Sequence, residues 1–575
     1  MPELQDYKDW YLESDDAQRT WHDHAELEWK FYNGDQWDSA TKTSLLKQKR
    51  PVLTLNYIRR IIRLLVGYEM RSRYDMKCYP IGEVGDDEAA RLATRIIRHM
   101  YAANSADFQY SMANKIGMIT GRGWVKTTIN YDENIFGNAA LKYDDTWNIF
   151  LDPFGLELDL TDHKYQIAEK LLEQDKLIAM YPDSETEIKK MATDTEHPTN
   201  TDSTRTNYRL REYYYKEFKK ENYLVNLQEG KVILLDTTDK KEEALQMEDD
   251  ENFMVRSAIH PVMKWATLVG NEILEKGTSQ HLAKYYPLAS FFSEFLPRMG
   301  DIAADWVSII RDAVDPQKEI NKRRTMWTDI LIRTVNKGWL YEEGTLRNPG
   351  DLDKMGTKMG VQVIVNPGMF DKIKEISMSQ VSGELYQAGA SSIEDLMEVM
   401  GINPAMLGYE QSSRESGKAL MARRQQGNVM VAPFMDNFRI TRLVSTRNLL
   451  SMIPYIYNPT RIARLVAKDG TINTMTDEDK VGMQKLLSTK DILHYDIEIS
   501  ETPQTPTQRI AEFVEMKEMI ELGLQYGMPP TPGMLRALVM ASDVSQKQVV
   551  LKELEAAAQQ QAQLAEQEPT GQLQA

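Results

Sequence analysis

The chain has 575 residues, too many for one hydrophobic core, so roughly two to four domains are expected. With 42% hydrophobic and 27% charged residues it has the composition of a soluble globular protein; no apolar run reaches the ~18 residues of a membrane span, and MPELQDYKDWYLESDD lacks the basic and apolar regions of a signal peptide. A net charge of −17 argues against a simple nucleic-acid clamp, which is usually basic, without excluding a surface past which DNA slides without sticking.

Trp21, Ala25, Trp29 and Tyr32 share one stripe of a first helix, with Ser14 as its expected cap, Asp15 and Asp16 in its first turn and Asn33-Gly34 at its end. His22 and His24 flank Asp23, but positions i and i+2 of a helix face different ways and do not converge on a metal. After Arg50-Pro51, residues Ile58, Ile61, Ile62, Leu65 and Val66 form a strong helical face. Arg59, Arg60 and Arg63 sit between them, with Arg71 and Arg73 beyond, either as a phosphate-binding helix or, more ordinarily, as a solvated face or subunit salt bridges. Met76 to Pro80 has the pattern of a short strand. Within it lies Cys78, the single cysteine, which excludes an internal disulfide and is expected to be a packed or idle thiol in a reducing compartment. Asp86 opens a helix through Met100, and another runs from about Asp107 to Thr120. Gly121-Arg122-Gly123 then turns the chain into a strand; with no third glycine and no following helix it is not a dinucleotide motif. Phe136-Gly137-Asn138 is a hairpin turn to a strand at Leu141 to Tyr143, and another strand ends at Asp152-Pro153. Asp144, Asp145, Asp152 and Asp159 raise the possibility of Mg²⁺ and a nuclease, but no basic or histidine partner is spaced for that chemistry. Ala192 to Asn207 has loop composition, Tyr208 to Phe218 and Tyr223 to Leu235 are strand-rich, Asp236 to Asn252 is an acid-rich loop, and Pro261 to Leu274 returns to strand or turn.

From Asp301 the pattern becomes helical through Ile302, Ala303, Trp306, Ile309, Ile310, Ala313 and Ile320, with a kink or break expected at Asp315-Pro316. Lys318, Lys322, Arg323 and Arg324 cluster beyond it. Val335 to Phe370, rich in Gly, Pro and Lys, is expected as a small α/β module, with helices resuming at Asp371. Ile393, Leu396, Met397 and Met400 form a one-sided stripe stopped by Gly401 and Asn403-Pro404. The polar stretch Tyr409 to Gly417 separates it from a long helix past Val431, Phe434, Met435 and Phe438; a polar loop between two long helices is usually a tip that touches something. Ser416-Gly417-Lys418-Ala419 looks like the end of a phosphate-binding loop, but Ser412 stands where its first glycine is required and Ala419 replaces the Mg²⁺-binding hydroxyl. No nucleophile elbow, HExxH or cysteine-pair metal site appears, so no enzyme, cofactor or metal is expected.

The co-linear order of features resembles the portal proteins of tailed bacteriophages, of the short-tailed (podophage) type. Phe31-Tyr32-Asn33-Gly34-Asp35-Gln36-Trp37, followed by Arg50-Pro51 and Asn56, resembles the family's opening, and Gly67-x-x-x-Arg71-x-Arg73 its first helix exit. Gly121-x-Gly123, Asp152-Pro153 and Asp159-x-x-Asp162 resemble wing strands; Asp315-Pro316-Gln317-x-Glu319-x-Asn321-Lys322-Arg323 resembles the stem signature. Gly401-Ile402-Asn403-Pro404-x-x-Leu407-Gly408, Ser413-x-Glu415-Ser416-Gly417 and Arg424-Gln425-Gln426-Gly427 resemble the tunnel region, so that the likeness spans roughly residues 20 to 460.

The resemblance implies an α+β, mainly helical portal fold that assembles as a ring, usually of twelve subunits. Residues 1–300 would be an α/β wing, 301–334 a stem helix, 335–370 the clip, 371–401 the returning stem helix, 402–417 the tunnel loop, 418–470 a long helix back to the wing, 471–548 a helical crown and 549–575 a C-terminal tail. Gln411, Ser412, Ser413, Arg414, Glu415 and Ser416 would face DNA from the tunnel loop, or else form an ordinary loop under the crown. Lys318, Lys322, Arg323 and Arg324 would stand on the stem, lining the channel or pairing with acids of the adjacent subunit. Twelve copies sum to roughly −200 formal charges, a wall that repels phosphates. The implied function is the channel through which double-stranded DNA is packaged into the procapsid and later ejected, at one capsid vertex of a virion assembled in the host cytoplasm. The implied partners are further copies of the chain, major capsid protein, scaffolding protein, terminase large subunit, tail adaptor protein and double-stranded DNA. The alternatives are a packaging nuclease or ATPase, and another ring-forming head or tail connector, though connectors are usually much smaller. In the tail, Leu551, Leu554, Ala558, Gln561 and Ala565 follow heptad spacing only weakly, leaving a coiled barrel or a frayed end.

Overall fold

A computed structural model of the chain describes residues 2–190 apart from 72–73, 81–85 and 133, then 207–226, 232–234, 253–279, 285–297, 305–335, 339–348, 350–351, 362–376, 383–402, 406, 417–466, 475–488, 495–501, 506–526 and scattered positions from 530 to 539. The acid-rich stretch Asp236 to Asn252, the loop Gln411 to Ser416 and the tail from Val549 lie outside the described residues, as does most of Ala192 to Asn207, whose last residue already opens a strand.

The first helix, α1 (Leu4–Asn33), starts ten residues before Ser14. Glu3 and Asp6 form a reciprocal capping box, so the first turn is satisfied without serine. Ser14 is instead buried inside the helix and its hydroxyl donates to the Leu151 carbonyl at 2.6 Å, a tertiary bond that local capping rules do not anticipate. The buried stripe runs Tyr7, Trp10, Ser14, Gln18, Trp21, Ala25 and Glu28, a helical period maintained across the expected cap. Gly34 closes the helix in the left-handed region at φ 96°, and the amides of Gly34 and Asp35 donate to the Phe31 and Lys30 carbonyls.

The chain continues through α2 (Ser39–Lys47), α3 (Tyr57–Arg71), β1 (Tyr74–Pro80), α4 (Asp86–Ala103), α5 (Ala106–Thr120), β2 (Arg122–Asn130), β3 (Asn138–Asp144), β4 (Ile149–Leu151), β5 (Tyr165–Glu173), α6 (Gln174–Met180) and α7 (Glu185–Lys190). Then follow β6 (Asn207–Asn226), β7 (Val232–Leu234), β8 (Phe253–Val269), β9 (Glu272–Thr278), β10 (Leu288–Phe292), β11 (Glu294–Leu296) and β12 (Asp305–Val307). The last part comprises α8 (Val314–Val335), β13 (Trp339–Tyr341), β14 (Ile373–Glu375), α9 (Gly383–Val399), α10 (Gly417–Ile456), α11 (Pro459–Val466), α12 (Asp477–Ser488), β15 (Tyr495–Glu501) and α13 (Pro506–Gln525). The architecture is mixed helix and sheet.

The largest sheet has the order β4-β5-β6-β8-β9, with β7 on β6, and is antiparallel in every described pairing. Its aromatic face, with Tyr165, Tyr213 and Tyr215, packs on Tyr7 and Trp10 of α1. A second sheet has the order β10-β2-β3. The main core joins both halves of the sequence: Ile58, Ile61, Ile62 and Leu65 of α3 and Leu92, Ile96 and Ile97 of α4 meet Phe438, Leu449, Leu450 and Ile453 of α10 and Met483 of α12. The apolar α3 face is therefore a core face. Arg59 turns back to donate to the Tyr32 and Asn33 carbonyls. Cys78 is buried beneath Thr94, and burial pushes its thiol up to about 11, the packed-thiol reading.

Three expectations are corrected. The helical pattern from Asp301 is interrupted by β12, which pairs with β11, and the long helix starts only at Val314, leaving Asp315-Pro316 in its first turn. Proline there breaks no helical hydrogen bond, so the expected kink becomes a helix start. Helices do not resume at Asp371: β14 pairs Ile373 to Glu375 with Tyr341 to Trp339, so the small module closes on a strand and α9 begins at Gly383. Finally, 471–548 is not purely helical. Asp496-Ile497-Glu498-Ile499 alternates with the period of a strand, and β15 pairs antiparallel with β1 over Tyr74↔Glu501 to Pro80↔Tyr495.

Candidate DNA-channel elements and their anchoring

α8 and α9 pack against one another, and α8 carries a polar ladder on one face. Gln317, Asn321, Thr325 and Asp329, spaced four apart, are each nearly fully buried. Spacing of four brings side chains onto one side of a helix, so all four meet a single neighbour, the extended segment 50–57. Asp329 accepts from Arg50 Nε at 2.9 Å, and Thr325 Oγ1 from the Leu53 amide at 3.2 Å. Asn321 Oδ1 accepts from the Leu55 amide at 2.8 Å, and Gln317 both donates to the Leu55 carbonyl at 2.7 Å and accepts from the Tyr57 amide at 3.1 Å. Within this segment the backbone makes one bond of its own, from the Tyr57 amide to the Leu55 carbonyl, and the helix side chains supply partners that a neighbouring strand would.

The same network reaches the end of α1. Asn321 Nδ2 donates to Gln36 Oε1 at 2.6 Å, and Asn56 Nδ2 donates to the Tyr32 carbonyl at 2.9 Å while its Oδ1 caps the Arg59 amide at the start of α3. Gln36, Arg50, Asn56, Gln317 and Asn321, scattered over nearly 300 residues of sequence, thus belong to one strap that ties α8 to the body.

The four clustered basic residues of α8, Lys318, Lys322, Arg323 and Arg324, do not share a face. Lys318 pairs with Asp315 at 2.9 Å and lies 5.7 Å over the Phe31 ring. Lys322, one turn on, is exposed and makes no ion pair among the described residues. On the other side Arg323 pairs with Glu319 at 2.6 Å and donates to the Ala388 carbonyl of α9. Arg324 is exposed and stands 4.9 Å over the Trp327 ring.

Gln411, Ser412, Ser413, Arg414, Glu415 and Ser416 fall outside the described residues; only their anchors are defined. Beyond α9 the chain stops at Gly401, as expected, with the amides of Gly401 and Ile402 donating to the Glu398 and Met397 carbonyls. The Met406 carbonyl then accepts from Tyr68 of α3 at 3.5 Å, and α10 begins at Gly417.

α10 is held by polar bonds as well as by its core face. Asn437, Thr441 and Asn448 donate to the carbonyls of Phe292, Ser290 and Tyr286, closing the free edge of β10 with side chains. Arg442, fully buried, lies over the Tyr110 and Phe438 rings and donates to Glu69 of α3 at 3.0 Å. Burial pushes the Glu69 carboxyl above the usual range, against the opposing bonds from Ser111 and Arg442.

The four acids weighed for a nuclease hold backbone turns. Asp144 accepts from the Asp145 amide, Asp145 from the Trp147 amide, Asp152 from the amides of Phe154 and Lys164, and Asp159 from that of Thr161. Among the described residues no three His, Cys, Asp or Glu side chains converge to hold a metal, and no helix is long and apolar enough to cross a membrane. Residue by residue the strap is not legible in the sequence; its one signal is four polar residues at constant spacing of four on a helix.

The family described as Phage P22-like portal protein matches residues 8–575 of the chain. No curated protein matches it.

Proposed function

The chain belongs to the P22-like family of phage portal proteins, and from that premise we propose how its own elements build the channel. The family role is that of the DNA-packaging channel and head-to-tail connector at a capsid vertex of the virion, a structural rather than an enzymatic part. The match over residues 8–575 is the observation that carries this function.

In our reading twelve copies close into a ring, each joined head to tail to the next, a heterologous contact that closes. Residues 1–300 form the wing, facing capsid and scaffolding proteins. The 301–334 segment and, beyond the clip, residues 376–401 form the stem, supported by the packed α8 and α9. The pairing of β13 with β14 supports a clip that runs from 335 past 370 to Glu375, and this clip docks terminase large subunit and later the tail adaptor. The 402–417 loop leads into the 418–470 segment, which is not one helix, since α10 ends at Ile456 and α11 follows from Pro459, and 471–548 forms a crown rooted in the body through β15. Assembly takes place in the host cytoplasm. Gln411 to Ser416 form the tunnel-loop tip nearest the duplex, because both ends of the loop are anchored on α3 and α10. Lys318 and Lys322 on the open side of α8 moderate the repulsion between a strongly acidic wall and DNA.

Negative-stain electron microscopy of the purified chain is expected to show radial rings with a central hole; a compact monomer would sink the proposal. Arg414→Glu is expected to change the amount of DNA packaged or retained, and unchanged packaging and retention would remove Arg414 from the channel wall.

A further inference from the structure

The α8–α9 pair carries a groove that its own described residues leave open. It has a volume of about 270 Å³ and is lined by Leu55, Ile320, Trp327 and Ile393, together with Arg323 and Arg324. Arg323 is already engaged by Glu319 and the Ala388 carbonyl, whereas Arg324 presents an exposed guanidinium 4.9 Å over an indole. A cation held this way offers the outer edge of its fork to a carboxylate.

α9 carries the opposite charge. From Gly383 to Val399 it holds Glu384, Glu394, Asp395 and Glu398 and no lysine or arginine, whereas α8 holds five basic residues against three acidic ones, of which Asp329 is buried. Glu394 and Glu398 are exposed and one turn apart. At about 100° per residue both lie roughly 160° round the helix from buried Leu396, so they form the face pointing away from the chain's own core. The hairpin therefore has a basic apolar groove on one flank and an acidic ridge elsewhere on its surface. Two such unlike surfaces on one subunit are what a head-to-tail contact requires.

We propose that the groove is the seat of a second copy of this chain, with Glu394 and Glu398 of the neighbouring copy set against Arg324 at the groove. The proposal rests on the ring reading above and names the contact that selects its register. Like-charge repulsion between the acidic ridges of two copies disfavours any other approach.

The test is the protomer concentration at half-assembly, measured by sedimentation velocity and native mass spectrometry. Glu394→Lys/Glu398→Lys is expected to raise it at least about tenfold at low salt, and Arg324→Glu to do the same, because each turns an attraction into a repulsion at every contact around the ring. The triple variant, with both signs exchanged, is expected to return to within about threefold of the parent. The parent's own half-assembly concentration is expected to rise with salt, because exposed pairs are screened. Reversal variants that assemble like the parent, a triple variant without rescue, or a salt-insensitive parent would each overturn the groove contact while leaving the ring standing. A parent chain that never forms rings overturns the ring reading and the contact together.

Discussion

Asn321→Ala tests whether the strap joins α8 to the body as the geometry indicates. The side chain is 1% exposed; it accepts from the Leu55 amide at 2.8 Å and donates to Gln36 Oε1 at 2.6 Å. Alanine removes both bonds and leaves a backbone donor and an amide oxygen without them. An orphaned buried polar group costs about 1–3 kcal/mol, and because the Leu55 end is partly open to water the lower part of that range applies, giving about 2–3 kcal/mol for the two. The hydrophobic core of α3, α4 and α10 does not depend on Asn321, so the loss appears as local opening rather than global unfolding. A change near 2.7 kcal/mol is about 100-fold in an opening equilibrium. Amide hydrogen exchange read by mass spectrometry is the assay: residues 53–57 are expected to exchange about 100-fold faster, with α4 and β5 unchanged. The exposed neighbour substitution Lys322→Ala serves as control and is expected to leave the strap protected. Unaltered exchange at 53–57 in Asn321→Ala, or loss of protection spread over the whole chain, would refute the reasoning.

Two further outcomes follow from the body. Burial alone would raise the Glu212 carboxyl, but Lys126 and Lys170 outweigh it and hold the group at about 2. Its stabilisation, up to about 3 kcal/mol, is therefore present above the ordinary glutamate range near pH 4.5 and is lost as the pH falls towards 2; thermal melts between those limits should show a steep acid limb that Glu212→Gln flattens, and parallel curves would contradict it. Gly123→Ala places a Cβ 2.0 Å from the Ala113 carbonyl oxygen, a collision of backbone with backbone where α5 crosses β2, so a loss of at least about 3 kcal/mol is expected, read as a lowered melting temperature and soluble yield, and a parent-like melt would show that the crossing is looser than drawn.

The chain is acidic overall, but the bonds along the strap and the β10 edge are mainly neutral. Besides the Arg50–Asp329 ion pair the strap uses Gln, Asn and Thr, and the β10 edge is closed by Asn437, Thr441 and Asn448. Such bonds keep their strength in salt, whereas the exposed ion pairs of α8 are screened. This division lets the protomer hold its shape while its surface charges stay adjustable.

Local pattern was enough for much of the molecule. The apolar face of α3 at Ile58, Ile61, Ile62 and Leu65, the stop at Gly401, the turn into β2 at Gly121 and the ordered motifs that point to the portal family all depend on spacing within a few residues or on order along the chain. Element starts were harder, because Ser14, Asp315 and Asp371 each offer a plausible local signal that a distant contact overrides. Ser14 bonds Leu151 rather than an amide of its own turn, the residues before Val314 pair as β12 with β11, and those after Asp371 pair as β14 with β13. Which partners the strap and β15 take was decided by tertiary structure alone: the spacing of four on α8 and the alternation at Asp496 to Ile499 are periodic, but neither names a segment some 260 to 420 positions away. The charges of α8 show the same limit. Sequence placed Lys318, Lys322, Arg323 and Arg324 together, but a helix turns about 100° per residue, and only its contacts with segment 50–57 and α9 decided which of them stand in the open and which border the groove.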